Sequence, residues 1–470
     1  MGRRLTVDRM LLAGALFIVL AIAIRPALDN DLWWHLRSGR WMVDHRRILG
    51  ADPFSHTADG DRRLPFDWLA QLGLYGVWGV GGLWLVAVAT GVAATASVAL
   101  TVLAVPGRAT VQAAVAVLTG AAASVFWSAR PQIATNLLVA VVVWALWRHR
   151  RTGVAVWWLI PLFLLWAQLH LGWLYGLALI WVTVGGSLVD RRLGRGMTEV
   201  RTAHLAVVGA LSSLVVMISP VGPRVYALFF TQADVGRSYI EEYQAPSITD
   251  AKAIPFFVLL GVVAVIVVLR RRSLTVTDGL LLVGTAAFAL TAIRAVPVFA
   301  AVAAPILVEH GSALLASRPR EDREPAPIDV AILGITVAIA LVIVGLRLSP
   351  SSVEREERRE FPVDATAWLR RTHPPGPLWN TFDWGGYLIW KAPGYRVSID
   401  GRADLHEDRL DRYARTLAGD AWEQDLDQQG VNVAMVDTGG PLAQAMAGSP
   451  DWTVAYEDDQ ATVFVRRDPR

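Results

Sequence analysis

The chain has 470 residues, of which 54% are apolar and 18% are charged, and its mean hydropathy is +0.41. Soluble proteins are close to a quarter charged, whereas the apolar residues here come in long uncharged runs typical of membrane spans. The composition excludes a disordered, fibrous or disulfide-framework protein. The chain has no cysteine, which excludes a thiol nucleophile or a thiolate metal site. The formal net charge is +3. No basic cluster falls on a soluble module, so nucleic acid is not expected as a partner.

Eleven apolar runs predict about 11 transmembrane helices. They cover residues 10–26, 81–105, 111–127, 132–147, 154–169, 172–189, 204–219, 254–269, 278–293, 295–316 and 328–346. Polar breaks at 128–132 and near His170 divide the two double-length stretches, so each is predicted to be a helical hairpin. No small-residue cleavage site follows the first run, which favours an uncleaved anchor over a signal peptide.

The placement of arginine predicts the sidedness of the chain. With the N-terminus in the cytoplasm, every inner loop carries arginine, whereas the short outer turns carry only Arg130 and Arg294. This is the positive-inside pattern. The loop 27–80 lies outside despite its six arginines, because long loops follow the rule poorly. An odd number of spans then places the C-terminal segment outside, on the same side as this loop.

The predicted fold is an all-α polytopic membrane bundle with a C-terminal extracytoplasmic α/β domain. Residues 1–349 form the membrane module, with outer loops at 27–80 and 220–253, and residues 350–470 form the soluble domain. In the first loop, two amphipathic segments rich in tryptophan predict helices at the outer membrane interface, where this residue is favoured. They cover residues 32–43 and 66–72.

Alternating helix and strand signals make the C-terminal domain α/β. The predicted strands are Tyr395–Ile399, Val431–Val436, Trp452–Tyr456 and Thr462–Val465, and the predicted helices are Asp364–Arg371, Leu410–Leu417 and Ala421–Gln429. The last two strands are separated by four polar residues and are predicted to form a hairpin.

No predicted span has a charged residue near its middle, which disfavours an ion-coupled transporter. Polar residues instead gather at the outer ends of the spans. Asp29-Asn30-Asp31 follows the first span, and its two carboxylates could hold a divalent cation such as Mg or Mn, or one could act as a base while the other orients. The alternative is that these residues cap the following helix.

Arg130 and Arg294 stand at outer helix ends, where an arginine fork is suited to phosphate; the alternative is that they reach for lipid headgroups. In the C-terminal domain, Asp400, Arg402 and Asp404 follow a predicted strand, where binding sites of α/β sheets tend to lie; the alternative is an ordinary turn.

Several stretches together resemble the C-type, polytopic glycosyltransferases, which include protein O-mannosyltransferases and the aminoarabinose transferases of lipid A. The matching stretches are Asp29-Asn30-Asp31-Leu32-Trp33-Trp34-His35-Leu36, Asp52-Pro53-Phe54-Ser55, Asp67-Trp68-Leu69, Arg130-Pro131-Gln132, His170-Leu171-Gly172, Trp384-Gly385-Gly386-Tyr387 and Ile399-Asp400-Gly401-Arg402-Ala403-Asp404. The chain departs from the mannosyltransferases in carrying Asp-Asn-Asp instead of an adjacent Asp-Glu pair, and Asp at position 67 where Glu is expected.

The resemblance implies transfer of a sugar from a polyprenyl-phosphate donor to an extracytoplasmic acceptor at the surface of the lipid bilayer. The base or metal ligand would be Asp29 or Asp31, and no organic cofactor is implied. Substrate contacts are predicted at His35, Asp52, Asp67, Arg130, Gln132, His170, Glu241 and Arg294, and binding contacts in the outer domain at Asp400, Arg402 and Asp404. The outer domain would help to choose or hold the acceptor, or would only cap the catalytic cleft. The competing hypothesis is a non-catalytic membrane protein that carries or presents lipid-linked glycans.

Overall fold

A computed structural model describes residues 6–195, 200–231, 241–315 and 324–469. By its internal contacts the chain divides into two units. The first, here called the helical unit, comprises Met1–Arg25, Trp84–Phe229 and Ile240–Leu348. The second, here called the mixed unit, comprises Pro26–Leu83, Phe230–Tyr239 and Ser349–Arg470.

Twelve helices are numbered here up to Arg347. They are α1 Val7–Ala23, α2 Leu32–His45, α3 Trp68–Val102, α4 Ala109–Ala123, α5 Gln132–Thr152, α6 Leu159–Leu169, α7 Trp173–Arg192, α8 Thr202–Val215, α9 Ile254–Arg270, α10 Val276–Thr291, α11 Val296–Leu314 and α12 Pro327–Arg347. Helix α2 and the start of α3 belong to the mixed unit. Helix α3 is broken at Gly81 and Gly82; Gly82 has φ +59° and ψ −156°, a conformation that is essentially restricted to glycine.

A helix lies at each of the eleven predicted apolar runs. Within the described ranges, five helical segments are long and apolar enough to cross a membrane: Trp68–Val102, Ala109–Phe126, Trp173–Arg192, Ile293–Leu314 and Pro327–Arg347. The chain is therefore a multi-pass membrane protein. The number of spans and the cytoplasmic position of the N-terminus stay predictions.

Helix α11 lies at the centre of the helical unit. It packs against α4, α5, α9 and α10, and 78% of its most apolar stretch of 18 residues is buried. Helix α12 packs mainly on α1. Only 6% of its most apolar stretch of 18 residues is buried, although it is the most apolar of the five candidate spans. An apolar helix that protein covers on one side only is expected where lipid replaces water as the solvent.

Buried polar side chains connect helix ends in the helical unit. Asp190, in the last turn of α7, accepts hydrogen bonds from the backbone N–H groups of Val276 (2.6 Å) and Thr277 (3.0 Å) at the start of α10. Arg150 of α5 donates to Asp278 at 2.9 Å. A carboxylate at a helix N-terminus satisfies N–H groups that the helix leaves without partners, so these contacts fix α5, α7 and α10 against one another.

The mixed unit is built on one four-stranded sheet. Its strands are β1 Leu378–Asn380, β2 Val433–Asp437, β3 Trp452–Glu457 and β4 Ala461–Arg466, in the order β1-β2-β4-β3. The β1–β2 pair is parallel and the other two pairs are antiparallel. The remaining helices are α13 Pro350–Glu360, α14 Val363–Thr372, α15 Phe382–Lys391, α16 Ala403–Leu417, α17 Trp422–Gln428 and α18 Pro441–Ala447.

Both faces of the sheet are covered. Val433 and Met435 of β2 face one apolar cluster, and Ala434 and Val436 face another, as the two-residue period of a strand requires. The uninterrupted apolar run 433–436 is thus explained by a central strand buried on both sides.

Helix α2 of the first loop forms part of this core. Trp33 is 1% exposed and meets the rings of Phe361 and Tyr387 edge-on, with centroids 5.7 and 5.3 Å away. The prediction that this tryptophan lies at the membrane interface is therefore wrong. Its apolar surface is buried against residues more than 300 positions later in the chain, and this contact joins the loop 27–80 to the C-terminal domain.

The predicted strand Tyr395–Ile399 is also wrong. This segment makes a single parallel bridge, between Val397 and Ser55 of the first loop, and is otherwise irregular. The predicted hairpin is confirmed as β3 and β4. Strand β1 and helix α15 were missed, because the three-residue strand is too short to show a period and Gly385-Gly386 reads as a turn.

A buried ion network connects the same two parts of the mixed unit. Arg402 donates through Nη1 to Asp52 (2.6 Å) and through Nε and Nη2 to both oxygens of Asp400 (2.7 and 2.6 Å), and all three side chains are 0% exposed. Burial opposes ionisation of Asp400, but the adjacent guanidinium outweighs it and holds the pKa of Asp400 well below its ordinary value. The backbone N–H groups of Phe54 and Ser55 donate to Asp52, so the network fixes the loop as well as the side chains.

Replacing Arg402 by Met should destabilise the mixed unit severely, because it leaves two buried carboxylates without their cation. We expect a loss of about 3–5 kcal/mol, seen as a lower unfolding temperature of the purified protein. The control is Arg396→Ala, which breaks an ion pair with Asp59 whose side chains are both 53% exposed and should cost at most about 1 kcal/mol. Equal unfolding temperatures for the two variants would contradict the assignment.

Candidate functional site

The predicted site residues fall into two groups, one in each unit. The mixed unit holds Asp29, Asp31, His35, Asp52, Asp67, Asp400, Arg402 and Asp404, and the helical unit holds Arg130, Gln132, His170, Glu241 and Arg294.

The Asp29-Asn30-Asp31 segment forms a tight turn that leads into α2. The backbone N–H of Asp31 donates to Asp29 Oδ1 at 3.0 Å, an Asx-type turn. Asp31 occupies the position before the helix, but its side chain makes no capping hydrogen bond. Its Oδ1 instead accepts the indole N–H of Trp34 at 3.0 Å. The geometry thus gives Asp29 a local structural contact and leaves Asp31 with a carboxylate oriented by a side chain.

A buried polar chain lies beside Trp34. The indole ring of Trp34 contacts the imidazole of His35, with centroids 3.5 Å apart. The guanidinium of Arg63 lies 4.9 Å from the centroid of the same indole ring. Arg63 Nη2 is 3.2 Å from both oxygens of Asp67, and Asp67 Oδ2 is 3.5 Å from His35 Nδ1. These buried contacts limit the rotamers of Trp34, and Trp34 in turn holds Asp31.

Burial raises the pKa of Asp67, although the neighbouring guanidinium of Arg63 acts in the opposite direction. Asp67 is 1% exposed and its carboxylate faces Arg63 and His35. Its contacts hold these two side chains in position. The predicted substrate contact of Asp67 stays a prediction that this burial does not support.

Two glycines let the C-terminal domain approach the acidic segment closely. A Cβ atom at Gly386 would lie 2.5 Å from the carbonyl oxygen of Asn30, and one at Gly401 would overlap Asp31 Oδ1. Neither glycine has a positive φ, so close packing is the reason that a side chain is excluded. The Asp31 carboxylate therefore rests directly on the backbone of the turn between Asp400 and Arg402.

Asp29 and Asp31 were also predicted as ligands of a divalent cation. Among the residues that the structure describes, no three histidine or acidic side chains come together as a metal site. Oδ1 of each aspartate accepts an N–H donor. Mg²⁺ is usually bound by one or two carboxylates together with waters and substrate phosphates, so the metal role of Asp29 and Asp31 stays a prediction.

In the helical unit, two arginines share one carboxylate. Arg130, just before α5, donates to Glu242 Oε2 at 2.7 Å, and Nη1 of Arg294, just before α11, is 3.7 Å from Oε1. Burial opposes charge on Glu242, but the two guanidiniums outweigh it and lower its pKa. Both arginines stand at the N-terminal ends of helices, where an anion is favoured.

His170 lies near this group, in the turn between α6 and α7. Its Nδ1 accepts the backbone N–H of Gly172 at 3.1 Å and lies 2.9 Å from the hydroxyl of Thr135, which itself accepts the indole N–H of Trp166. Nδ1 is thus an acceptor, which places the proton of the neutral ring on Nε2. Burial, followed by the charge of Arg294, lowers the pKa of His170 to about 3, so the ring is neutral at physiological pH.

The remaining predicted residues have mainly structural contacts. Gln132 donates to Ser128 at 2.5 Å, Arg402 and Asp400 lie inside the ion network, and Asp404 is partly buried at the start of α16. The backbone of Glu241 lies in a short helical turn, and its side chain is outside the described part of the chain. Their predicted binding roles stay predictions.

Sequence reasoning missed three contributors. Glu242, to which the sequence assigned no role, pairs with both arginines. Trp34 and Arg63 could have been found from spacing, because each lies three or four residues from the acid that it contacts, on adjacent turns of a helix or helix entry.

The sequence matches no protein-family model and no curated protein. Solved structures do resemble it. Archaeal oligosaccharyltransferase AglB from Archaeoglobus fulgidus, in complex with an inhibitory peptide and a dolichol-phosphate, aligns with 91% of this chain and 69% of its own length at 11% identity, with a TM-score of 0.58. ArnT from Cupriavidus metallidurans, bound to undecaprenyl phosphate, aligns over 97% of both chains at 15% identity, with a TM-score of 0.52.

A second structure of the A. fulgidus oligosaccharyltransferase, tethered to an acceptor peptide, covers 98% of this chain and 74% of its own, at 11% identity with a TM-score of 0.55. At these identities the likeness is one of fold. The chain has the fold of the C-type polytopic glycosyltransferases, and the resemblance seen in the sequence is confirmed at that level.

Proposed function

We propose that this protein is a membrane glycosyltransferase that moves a sugar from a polyprenyl-phosphate donor to an extracytoplasmic acceptor in the cell envelope, a glycan, lipid or protein. The observation that carries the proposal is the carboxylate of Asp31, oriented by Trp34 and Gly401 in a chain with the fold of AglB and ArnT. Both of those proteins were solved with polyprenyl-type lipid phosphates.

The chemistry needs one base and one cationic site. The Asp31 carboxylate takes the proton from the acceptor hydroxyl while the oxygen of that hydroxyl attacks the anomeric carbon of the donor sugar. The bond between the anomeric carbon and the phosphate oxygen then breaks. The phosphate leaves with the bonding electrons, and the configuration at the anomeric carbon is inverted. A phosphate is a good leaving group, so that a single base suffices. Asp29 supports this role by fixing the turn through the N–H of Asp31.

The cationic site is assigned to Arg130 and Arg294. Two guanidiniums at helix N-termini suit the phosphate of the donor or of the released lipid. The neutral ring of His170 adds an N–H donor at Nε2 without further charge. A groove among the apolar spans would hold the prenyl chain.

The proposed sidedness follows the arginine pattern, with the N-terminus in the cytoplasm and the mixed unit outside. The packing of the first loop with the C-terminal domain supports it, because two parts of one compact unit must lie on the same side of the membrane.

Replacing both Asp29 and Asp31 by Asn should abolish transfer without unfolding the protein. The assay is mass spectrometry of cell-envelope glycans from a strain that lacks the gene, complemented with each variant. Wild type should restore the missing sugar linkage, and the double variant should not, because a general base contributes about 10²–10⁴-fold to the rate.

The matched control is Asp44→Asn on the same helix α2, whose carboxylate is 54% exposed and pairs with Arg40. It should restore the linkage fully. Full complementation by the double variant would eliminate the aspartates as the base.

Gly401→Ala should reduce transfer by about a hundredfold, because a methyl group there displaces the Asp31 carboxylate, and a misplacement of about 1 Å can cost this much. Gly394→Ala is the control, since a Cβ there meets nothing within 4 Å. The measurement is the amount of restored linkage at equal protein level and equal unfolding temperature. Identical activity of the two variants would show that Asp31 does not act through its position.

The cationic site predicts opposite effects from two neighbouring substitutions. Arg130→Gln should weaken binding of undecaprenyl phosphate about tenfold, whereas Glu242→Gln should strengthen it, because the competing carboxylate is lost. Binding is measured by native mass spectrometry of the purified protein. Arg148→Gln, an exposed position at the other end of α5, should change nothing. A weakening by Glu242→Gln equal to that by Arg130→Gln would instead indicate a structural ion pair.

A further inference from the structure

Two arginines stand at neighbouring helix ends of the helical unit. Arg25 follows α1, and Arg347 is the last residue of α12, which packs mainly on α1. Both residues are exposed. Among the residues that the structure describes, no aspartate or glutamate forms an ion pair with either guanidinium. The proposed mechanism uses neither arginine, so their closeness needs another explanation.

Each guanidinium donates to one of the last carbonyl groups of α1. Nε of Arg25 donates to the carbonyl oxygen of Ile22 at 3.1 Å, and Nη1 of Arg347 donates to that of Ala21 at 2.6 Å. The last carbonyl groups of a helix have no partner within the helix, and a cation is favoured beside them. Since the two acceptors belong to successive residues, the contacts bring guanidiniums from two different segments to the same turn of α1.

The two like charges repel each other unless an anion compensates them. Burial against neighbouring atoms lowers the pKa of Arg25, and the positive charge of Arg347 lowers it further. The surroundings therefore disfavour the charge of Arg25, although an arginine stays protonated in proteins. An anion that contacts both guanidiniums would replace this repulsion by two attractive interactions.

The remaining N–H groups of the pair suit a phosphate. A guanidinium carries several N–H donors and no acceptor. In the contacts with α1, Arg25 uses Nε and Arg347 uses Nη1, so each side chain keeps nitrogen atoms for a further partner. An arginine fork matches two oxygens of a phosphate, and such charge-assisted hydrogen bonds are among the strong ones. Two forks from different segments could therefore hold one phosphate between them.

The position of the pair indicates that the ligand comes from a lipid bilayer. The 21 residues of α12 rise by about 30 Å, which equals the thickness of about 30 Å of the hydrocarbon core. Only 6% of the most apolar stretch of this helix is buried in protein, which leaves most of its surface to lipid. Arg347 at its end thus lies at the level of the lipid headgroups, where arginine side chains place their charge.

We propose that Arg25 and Arg347 together bind the phosphate of one anionic phospholipid, whose headgroup thereby joins α12 to α1. A zwitterionic phospholipid fits less well, because its ammonium group would lie near two guanidiniums. The inference does not depend on the proposed glycosyl transfer. The polyprenyl-phosphate donor offers the same phosphate chemistry but is assigned to Arg130 and Arg294, and the experiment separates the two lipids.

The test is native mass spectrometry of the full-length protein, titrated separately with phosphatidylglycerol, phosphatidylcholine and undecaprenyl phosphate. Wild type should bind phosphatidylglycerol about tenfold more tightly than phosphatidylcholine. Arg25→Gln and Arg347→Gln should each weaken binding of phosphatidylglycerol about tenfold, because each removes one fork, and should leave binding of undecaprenyl phosphate unchanged. The control is Arg415→Gln, at an exposed arginine of α16 in the mixed unit, which should alter neither affinity.

The unfolding temperature provides a second measurement. Phosphatidylglycerol that binds the folded protein should raise the unfolding temperature of wild type, and this rise should be lost in both variants. Arg25→Gln stays informative if Arg347→Gln unfolds, because it keeps the hydrogen bond from Arg347 to α1.

Four results would overturn the proposal. Equal affinity of wild type and both variants for phosphatidylglycerol would show that the arginines only satisfy the carbonyl groups of α1. Equal binding of phosphatidylglycerol and phosphatidylcholine by wild type would remove the preference for an anion. Weaker binding of undecaprenyl phosphate by the two variants would assign the pair to the donor. Displacement of phosphatidylglycerol by inorganic phosphate would indicate a site for a soluble anion instead of a lipid.

Discussion

The buried contact of Arg402 with Asp52 and Asp400 determines how the mixed unit is assembled. One guanidinium joins two carboxylates that are nearly 350 residues apart, and all three groups are removed from water. Separating such charges in a poorly solvated interior is costly, so the first loop and the C-terminal domain behave as one body. The edge-on packing of Trp33 against Phe361 and Tyr387 extends the same junction with apolar surface.

This junction also explains the position of the proposed base. Gly401 lies between the two residues of the network that belong to the C-terminal domain, and its backbone touches the Asp31 carboxylate. On its other side the carboxylate is held by Trp34, which rests on the Arg63 and Asp67 pair. A buried salt bridge is weak evidence for stability; here it fixes a geometry, which is the property that a catalytic group requires.

The sequence predicted the apolar helices well, because each apolar run is long enough to reveal itself by hydropathy, and the β3–β4 hairpin followed from its polar turn. It did not reveal contacts between distant segments. The residues that flank Trp33 in the sequence are the same whether it faces lipid or a protein core. Only its contact with Phe361 shows that it is buried in protein. Glu242 lies next to another glutamate in the sequence, and only the structure shows that it contacts Arg130. The Asp29-Asn30-Asp31 motif was recognised, but the different contacts of its two acids depend on Trp34 and on the backbone at Gly401.

The division of the mixed unit between the two ends of the chain has a consequence for biosynthesis. Residues 26–83 emerge from the ribosome early, while Phe361, Tyr387 and the sheet that complete their core are made last. The tryptophans of α2 and the carboxylate of Asp52 must therefore wait, without their final neighbours, until nearly all the membrane helices have been synthesised. Closure of so long a loop is slow relative to local helix formation, so the mixed unit is expected to mature after the helices have inserted, with the ordering of Asp31 among its last events.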